Sequence, residues 1–144
     1  MVVITNKKNN IKEIKNINEL EGAFLKSKTK ISLAMTNSIP AGMYAKNYLE
    51  NTGIWKKISN NYVESINVRA ALNYVARNDL EFGIVYKTEA VSSNKVKVVY
   101  LIETDKHEKI TYPIAVLNNK KETIEVYDFL LDNKNLSKTL KWGF

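Results

Sequence analysis

The sequence predicts an α/β domain with a mainly parallel sheet flanked by helices. Short runs rich in β-formers alternate with longer stretches of helical period, the pattern of strand–helix units. Gly and Pro are sparse, 5 and 2 in 144 residues, which excludes collagen-like and disordered readings. The hydrophobic share, 44%, suits one core at this length. We therefore expect a single α/β domain over residues 1–144.

Val2 to Thr5 reads as a strand, and Ile17 to Lys26 as a short helix with Leu20, Phe24 and Leu25 on one side. Ile31 to Met35 is a second strand, and Thr36-Asn-Ser-Ile-Pro40 a turn. From Ala41 the apolar positions Tyr44, Ala45, Tyr48 and Leu49 recur at offsets of three and four, until Asn51-Thr-Gly53 ends the helix. Tyr62 to Ile66 is a third strand; Val68, Ala71, Leu72 and Val75 then trace one face of a helix that Asn67 can cap.

Phe82 to Tyr86 is apolar enough for a strand buried on both faces. Lys95 to Ile102 and Tyr112 to Leu117 read as further strands, the second with Pro113 near its start, where a missing donor is tolerated. The end is helical, over Thr123 to Leu131 and about Leu136 to Trp142.

Several functions are excluded by what the chain contains. With no cysteine there is no disulfide, thiol nucleophile or Cys-based zinc site, and one histidine gives no metal-ligand spacing. The opening apolar run is too short for a signal-peptide core, and no stretch approaches the roughly 18 apolar residues of a membrane span. As written, the chain carries no export signal and would be cytoplasmic. The net charge of +7 invites a nucleic-acid reading, but the lysines are dispersed as short groups flanking apolar segments, so they read as a solvated face.

In a parallel α/β sheet, ligands gather outside the carboxyl ends of the strands, where helices present their N-termini. Two junctions fit. The second strand leads into Pro40-Ala41-Gly42, with Pro suited to the first helical position because its absent N–H would be unpaired anyway. The third leads into Asn67-Val68-Arg69, with the Val68 amide in the first turn. The unpaired N–H groups and positive dipole ends of both helices favour an anion without a formal charge. Tyr86, at the end of the fourth strand, adds a phenolic donor. These residues alone define a possible anion cradle.

Other candidates read as structure. His107, between Lys106 and Glu108, is expected to be a solvated loop residue, and Asp79/Glu81 surface charge without a partner nucleophile. Trp55 and Trp142 are expected to plug the core, since no alternation of aromatics with cations supports base stacking.

The chain resembles the molybdate-binding proteins of ABC transporters, which are type II periplasmic solute-binding proteins. The stretches that carry the resemblance are Ile39-Pro-Ala-Gly-Met-Tyr-Ala-Lys46, Asn67-Val-Arg-Ala-Ala-Leu72, Gly83-Ile-Val-Tyr86, Lys95-Val-Lys-Val-Val99, Tyr112-Pro-Ile-Ala-Val116 and Trp142-Gly-Phe144. They fall in family order. Val68 lies 27 residues after Ala41, and Tyr86 18 after Val68, as in the family.

The resemblance implies that the amides of Ala41 and Val68 and the hydroxyl of Tyr86 hold molybdate or tungstate, with Pro40, Gly42 and Asn67 in support. It implies no catalysis, no cofactor and no direct metal ligand. A site made only of donors also discriminates against protonated phosphate, whose O–H meets no acceptor. The resemblance covers only the second lobe and C-terminal helices of a family member; the first lobe would supply two serine hydroxyls, another amide and the export signal. Met35-Thr-Asn-Ser38 and Ile66 depart from the family's usual Asp-Pro type turn and acidic residue, leaving molybdate, tungstate and sulfate open.

The leading expectation is therefore an oxyanion-binding lobe of an ABC-transporter substrate-binding protein, truncated and weak-binding alone. Its location would be extracytoplasmic by resemblance, with the ABC permease as partner and without nucleic acid or membrane insertion. Apolar surface left open by the absent lobe would favour a homo-oligomer. The alternatives are the ligand-sensing domain of a transcriptional regulator and a basic nucleic-acid-binding protein.

Overall fold

The computed structural model describes residues 1–143 and divides into two units, Met1–Lys109 and the segment from Ile110 onward. In the first unit the order is β1 (Val2–Asn6), α1 (Ile17–Lys26), β2 (Ile31–Ala34), α2 (Pro40–Asn51), β3 (Tyr62–Ser65), α3 (Val68–Ala76), β4 (Phe82–Val85), α4 (Lys87–Val91) and β5 (Val96–Leu101). Apart from α4, which the sequence reading did not anticipate, these bounds match that reading to within one or two residues.

The five strands form one open sheet in the order β3-β2-β4-β1-β5. β2 is parallel to β3 and β4, while β1 runs antiparallel to both β4 and β5. Four strands therefore share one direction and β1 alone opposes them, which is the mainly parallel α/β sheet expected. Side-chain alternation sends Val3 to one face and Val2 and Ile4 to the other. Val3 joins Leu20 and Phe24 of α1 and Ala45, Tyr48 and Leu49 of α2. Val2 and Ile4 pack with Ala71, Leu72 and Val75 of α3 and Ala90 of α4. With helices on both faces, every residue of β1, β2 and β4 is buried.

Two details of this unit differ from the sequence reading. Leu25 is 52% exposed, because the buried stripe of α1 comprises Leu20 and Phe24. His107 is not solvated: it is 9% exposed, lies against the Tyr44 ring and has Nδ1 at 2.7 Å from its neighbour's carbonyl, Glu108 O. Side chains of α2 hold the backbone around it. Asn51 Nδ2 donates to Lys106 O at 3.0 Å, and the Glu108 N–H donates to Asn47 Oδ1 at 2.9 Å. Trp55 is half-buried, packs against the core and faces the Tyr62 ring at 4.8 Å.

The second unit contains α5 (Lys121–Leu131), α6 (Asn133–Leu136) and a 3-10 helix at Ser137–Trp142. Asp132 separates the first two and caps α6, its Oδ1 accepting from the Lys134 N–H at 2.7 Å. The expected strand over Tyr112 to Leu117 is absent. A strand needs a neighbour to complete its ladder, none occurs among this unit's described residues, and Pro113 withholds a donor. Trp142 plugs no core: it is 58% exposed, with the Lys141 ammonium 5.3 Å from its ring. Phe144, the last residue of the Trp142-Gly-Phe144 stretch, lies outside the described residues.

Candidate functional site

The parallel register of β3, β2 and β4 brings three strand ends to one edge. Ala34 sits opposite Ser65, while Ile31 and Ser32 sit opposite Phe82 and Gly83. Adjacent strands lie about 4.8 Å apart, so the flanking ends of β3 and β4 are separated by about 10 Å with β2 between them. The chain leaves these ends toward Ala41, Val68 and Tyr86. The fold thus brings all three predicted donors to the carboxyl edge of three neighbouring strands.

On β2 the turn after Ala34 delivers Pro40 as the first residue of α2. Ile39 is extended and provides no side-chain cap; the first turn closes with Met43 N–H donating to Ile39 O at 2.9 Å. The Ala41 and Gly42 amides precede that bond, at the positive end of the helix. Gly42 is required by the close approach of this turn to β2: a Cβ there would collide with the Ala34 carbonyl and lie 2.5 Å from Met35 O.

On β3, Asn67 caps α3 as expected, Oδ1 accepting the Ala70 N–H at 2.8 Å, and Ala71 N–H returns to Asn67 O at 3.2 Å. Those two bonds leave the amides of Val68 and Arg69 ahead of the first internal turn. The Arg69 guanidinium is engaged with Glu89 at 2.7 Å, so it adds little unbalanced charge. Tyr86 follows Val85 as the residue before α4 and is half-buried. Ser65 Oγ, at the end of β3, is buried and has no hydrogen-bond partner among the described residues.

A second pair of residues at this edge escaped the sequence reading. Glu64 Oε1 accepts from the Thr36 hydroxyl at 2.6 Å and from the Thr36 amide at 2.9 Å. Those hydrogen bonds, side chain first, hold the Glu64 carboxyl below the usual glutamate range, with Lys46 adding to the effect. The contact ties the turn that launches α2 to the strand that launches α3. No periodicity reveals it, because the residues are 28 apart and meet only through the β2–β3 register.

An open α/β sheet that presents two helix N-termini and a tyrosine at one strand edge is an arrangement able to accept an anion. The chain belongs to the family described as bacterial extracellular solute-binding protein, whose model matches residues 1–143. It is similar to the Bacillus subtilis protein named "Putative ABC transporter substrate-binding lipoprotein YvgL", 35% identical over 118 residues, or 80% of this chain and 45% of that protein. It is similar also to the Molybdate-binding protein ModA of Escherichia coli, 35% identical over 117 residues, 80% of this chain and 46% of that one. Among solved structures it matches the "substrate binding domain of putative molybdenum ABC transporter from Clostridium difficile" with TM-score 0.81 and 27% identity, covering 99% of this chain and 61% of that one. The chain spans about half the length of the curated relatives it matches.

Proposed function

We propose that this chain is an oxyanion-binding lobe of an ABC-transporter substrate-binding protein, taking molybdate or tungstate through the amides of Ala41 and Val68 and the hydroxyl of Tyr86. The observation that carries the reading is the common edge: three neutral donor positions follow three adjacent parallel strands. The 35% identity to a molybdate-binding protein supports the choice of ligand.

Neutral dipoles suit a receptor that must release its cargo. Helix N-termini attract a dianion, while two cations near the edge are engaged with other groups: Arg69 with Glu89, and Lys46 with Asn37 Oδ1 at 3.2 Å. No step of the reading makes or breaks a covalent bond, and the protein is a carrier in an extracytoplasmic transport system with an ABC permease as partner.

We propose further that residues 1–144 form the second lobe with its C-terminal helices, and that this chain alone binds weakly. Three donors leave the remaining faces of the anion to water, and an open edge does not exclude it. Isothermal titration of the full chain with molybdate, tungstate and sulfate tests this. Weak uptake of the first two above sulfate is expected; sulfate equal to or tighter than molybdate overturns the ligand assignment, and tight stoichiometric uptake overturns the weak-binding statement.

A further inference from the structure

The lysines that look dispersed in the sequence are gathered by the fold. Because β2, β3, β4 and β5 share a direction and β1 opposes them, the starts of those four and the end of β1 lie on one edge, opposite the oxyanion mouth. Lys7 and Lys8 follow β1, and Lys28 and Lys30 lead into β2. Lys56 and Lys57 precede β3, Lys95 precedes β5, and Arg77 ends α3. All of these are exposed. The carboxylates leading into β4 are Asp79 and Glu81; Asp79 is engaged with Arg77 at 2.8 Å and Glu21 of α1 with Lys57 at 2.6 Å, so the unpaired share of the field is carried by Lys7, Lys8, Lys28, Lys30, Lys56 and Lys95 among the described residues. At the mouth, by contrast, Glu64, Glu103, Asp105 and Glu108 offset Lys46, Lys87, Lys106 and Lys109.

The basic edge has a defined shape. Lys7, Lys8, Arg77 and Lys95 surround a cleft of about 450 Å³ together with Asn78 and Asn94. Past Arg77 and Lys95 it continues into a depression of about 660 Å³ that reaches Ser92 and Arg69. Asn6 fixes the floor, its Nδ2 donating to Val75 O at 3.1 Å and Ala76 O at 3.0 Å.

We infer that this edge is a docking surface for an anionic phospholipid bilayer. Five strands span about 20 Å, so the cations cover a field wider than one small anion and comparable to several headgroups. The carbonyl end of α3 at the floor disfavours an anion deep in the cleft and leaves the attraction to the rim. The residues lining both depressions include no aromatic ring on which a nucleic-acid base could stack. The family is extracellular, and one relative is named a lipoprotein, so a membrane surface is the polyanion within reach. Docking through this edge points the mouth toward the solution that carries the solute, so it describes the receptor while it captures solute and must be released before delivery to a permease. The inference holds whichever anion the mouth takes.

The test is cosedimentation of the full chain with vesicles of phosphatidylglycerol in phosphatidylcholine and with vesicles of phosphatidylcholine alone, at low and physiological ionic strength. Each Lys or Arg near an anionic surface contributes about fivefold in partition. Binding to the anionic vesicles is expected to weaken with salt and to fall by at least about tenfold when Lys7, Lys8 and Lys95 are changed to Gln, while the triple Arg variant keeps it. Lys28→Gln with Lys30→Gln is the independent second variant, and thermal melting verifies that each chain is folded. Absence of vesicle binding, equal binding to phosphatidylcholine alone, Gln variants that bind like the parent, or tighter retention by duplex DNA at the same salt would each overturn the inference.

Discussion

Thr36 and Glu64 join the two helix launch points of the oxyanion edge: one carboxylate oxygen takes both the hydroxyl and the amide of a residue on the neighbouring turn. Neither residue is a proposed ligand contact, yet each fixes where a contact begins. Thr36→Val removes the 2.6 Å bond and keeps the shape. A loss of about 1 kcal/mol, or about 4 °C in melting temperature, is expected. Molybdate affinity should drop as well, since the turn before Ala41 is freed. Calorimetry and titration of the same variant check both, and an unchanged affinity would remove Glu64 from the site's support.

Gly42 and Gly22 make opposite predictions for the same substitution. A Cβ at Gly42 meets the carbonyls of Ala34 and Met35, so Gly42→Ala must push the first turn of α2 off β2 at a cost of about 1–3 kcal/mol. A Cβ at Gly22, inside α1, meets nothing within 4 Å. There the better helix former should gain about 0.5–1 kcal/mol. Urea denaturation of the pair reads the sign directly, and Gly42→Ala alone should also weaken oxyanion binding.

Tyr86→Phe isolates the proposed phenolic donor. A hydrogen bond to a charged acceptor is worth about 1.5–3 kcal/mol, so affinity should fall by about 10- to 150-fold. Titration measures it beside the melting temperature. A fall in stability with unchanged affinity would make Tyr86 a packing residue.

Much of this architecture is legible in the sequence because its signals are local. The helical period of Tyr44, Ala45, Tyr48 and Leu49, the cap at Asn67 and the unbroken apolar run of β4 each depend on neighbours within a few residues. The segment Tyr112 to Leu117 looks like a strand for the same local reasons, but a strand is completed by its partner, which local pattern does not contain. His107 misleads in the reverse direction. Its polar neighbours suggest solvent, whereas Asn47 and Asn51 of α2 draw the segment down beside Tyr44. Glu64, Thr36 and the basic edge all depend on strand register and direction, which spacing alone leaves undetermined.

The cluster of Tyr48, Tyr100 and Glu103 sets a pH window for the first unit. Tyr100 donates to Glu103 Oε1 at 2.6 Å, and Tyr48 donates to Oε2 at 3.1 Å. Burial works to raise the Glu103 carboxyl, but hydrogen bonds from Tyr100 and Tyr48, with Lys106 nearby, hold it below the usual range. Both phenols are raised, Tyr48 chiefly by burial and then by Tyr100 and Glu103, and Tyr100 chiefly by burial and then by Glu103. A depressed carboxyl stabilises the fold above its ordinary value and loses that contribution as pH falls through the folded value; Glu64 behaves alike. A raised phenol stabilises below its ordinary value near 10 and loses that contribution as pH climbs toward the folded value. The contribution of these groups should therefore be constant near neutrality, decline below about pH 4.5 and decline again above about pH 10. Glu103→Gln should flatten part of the acid limb while leaving the Glu64 share, and Tyr48→Phe should flatten part of the alkaline limb while leaving the Tyr100 share. Denaturant melts across pH distinguish these, and an acid limb identical in Glu103→Gln would show that the carboxylate is not coupled to folding.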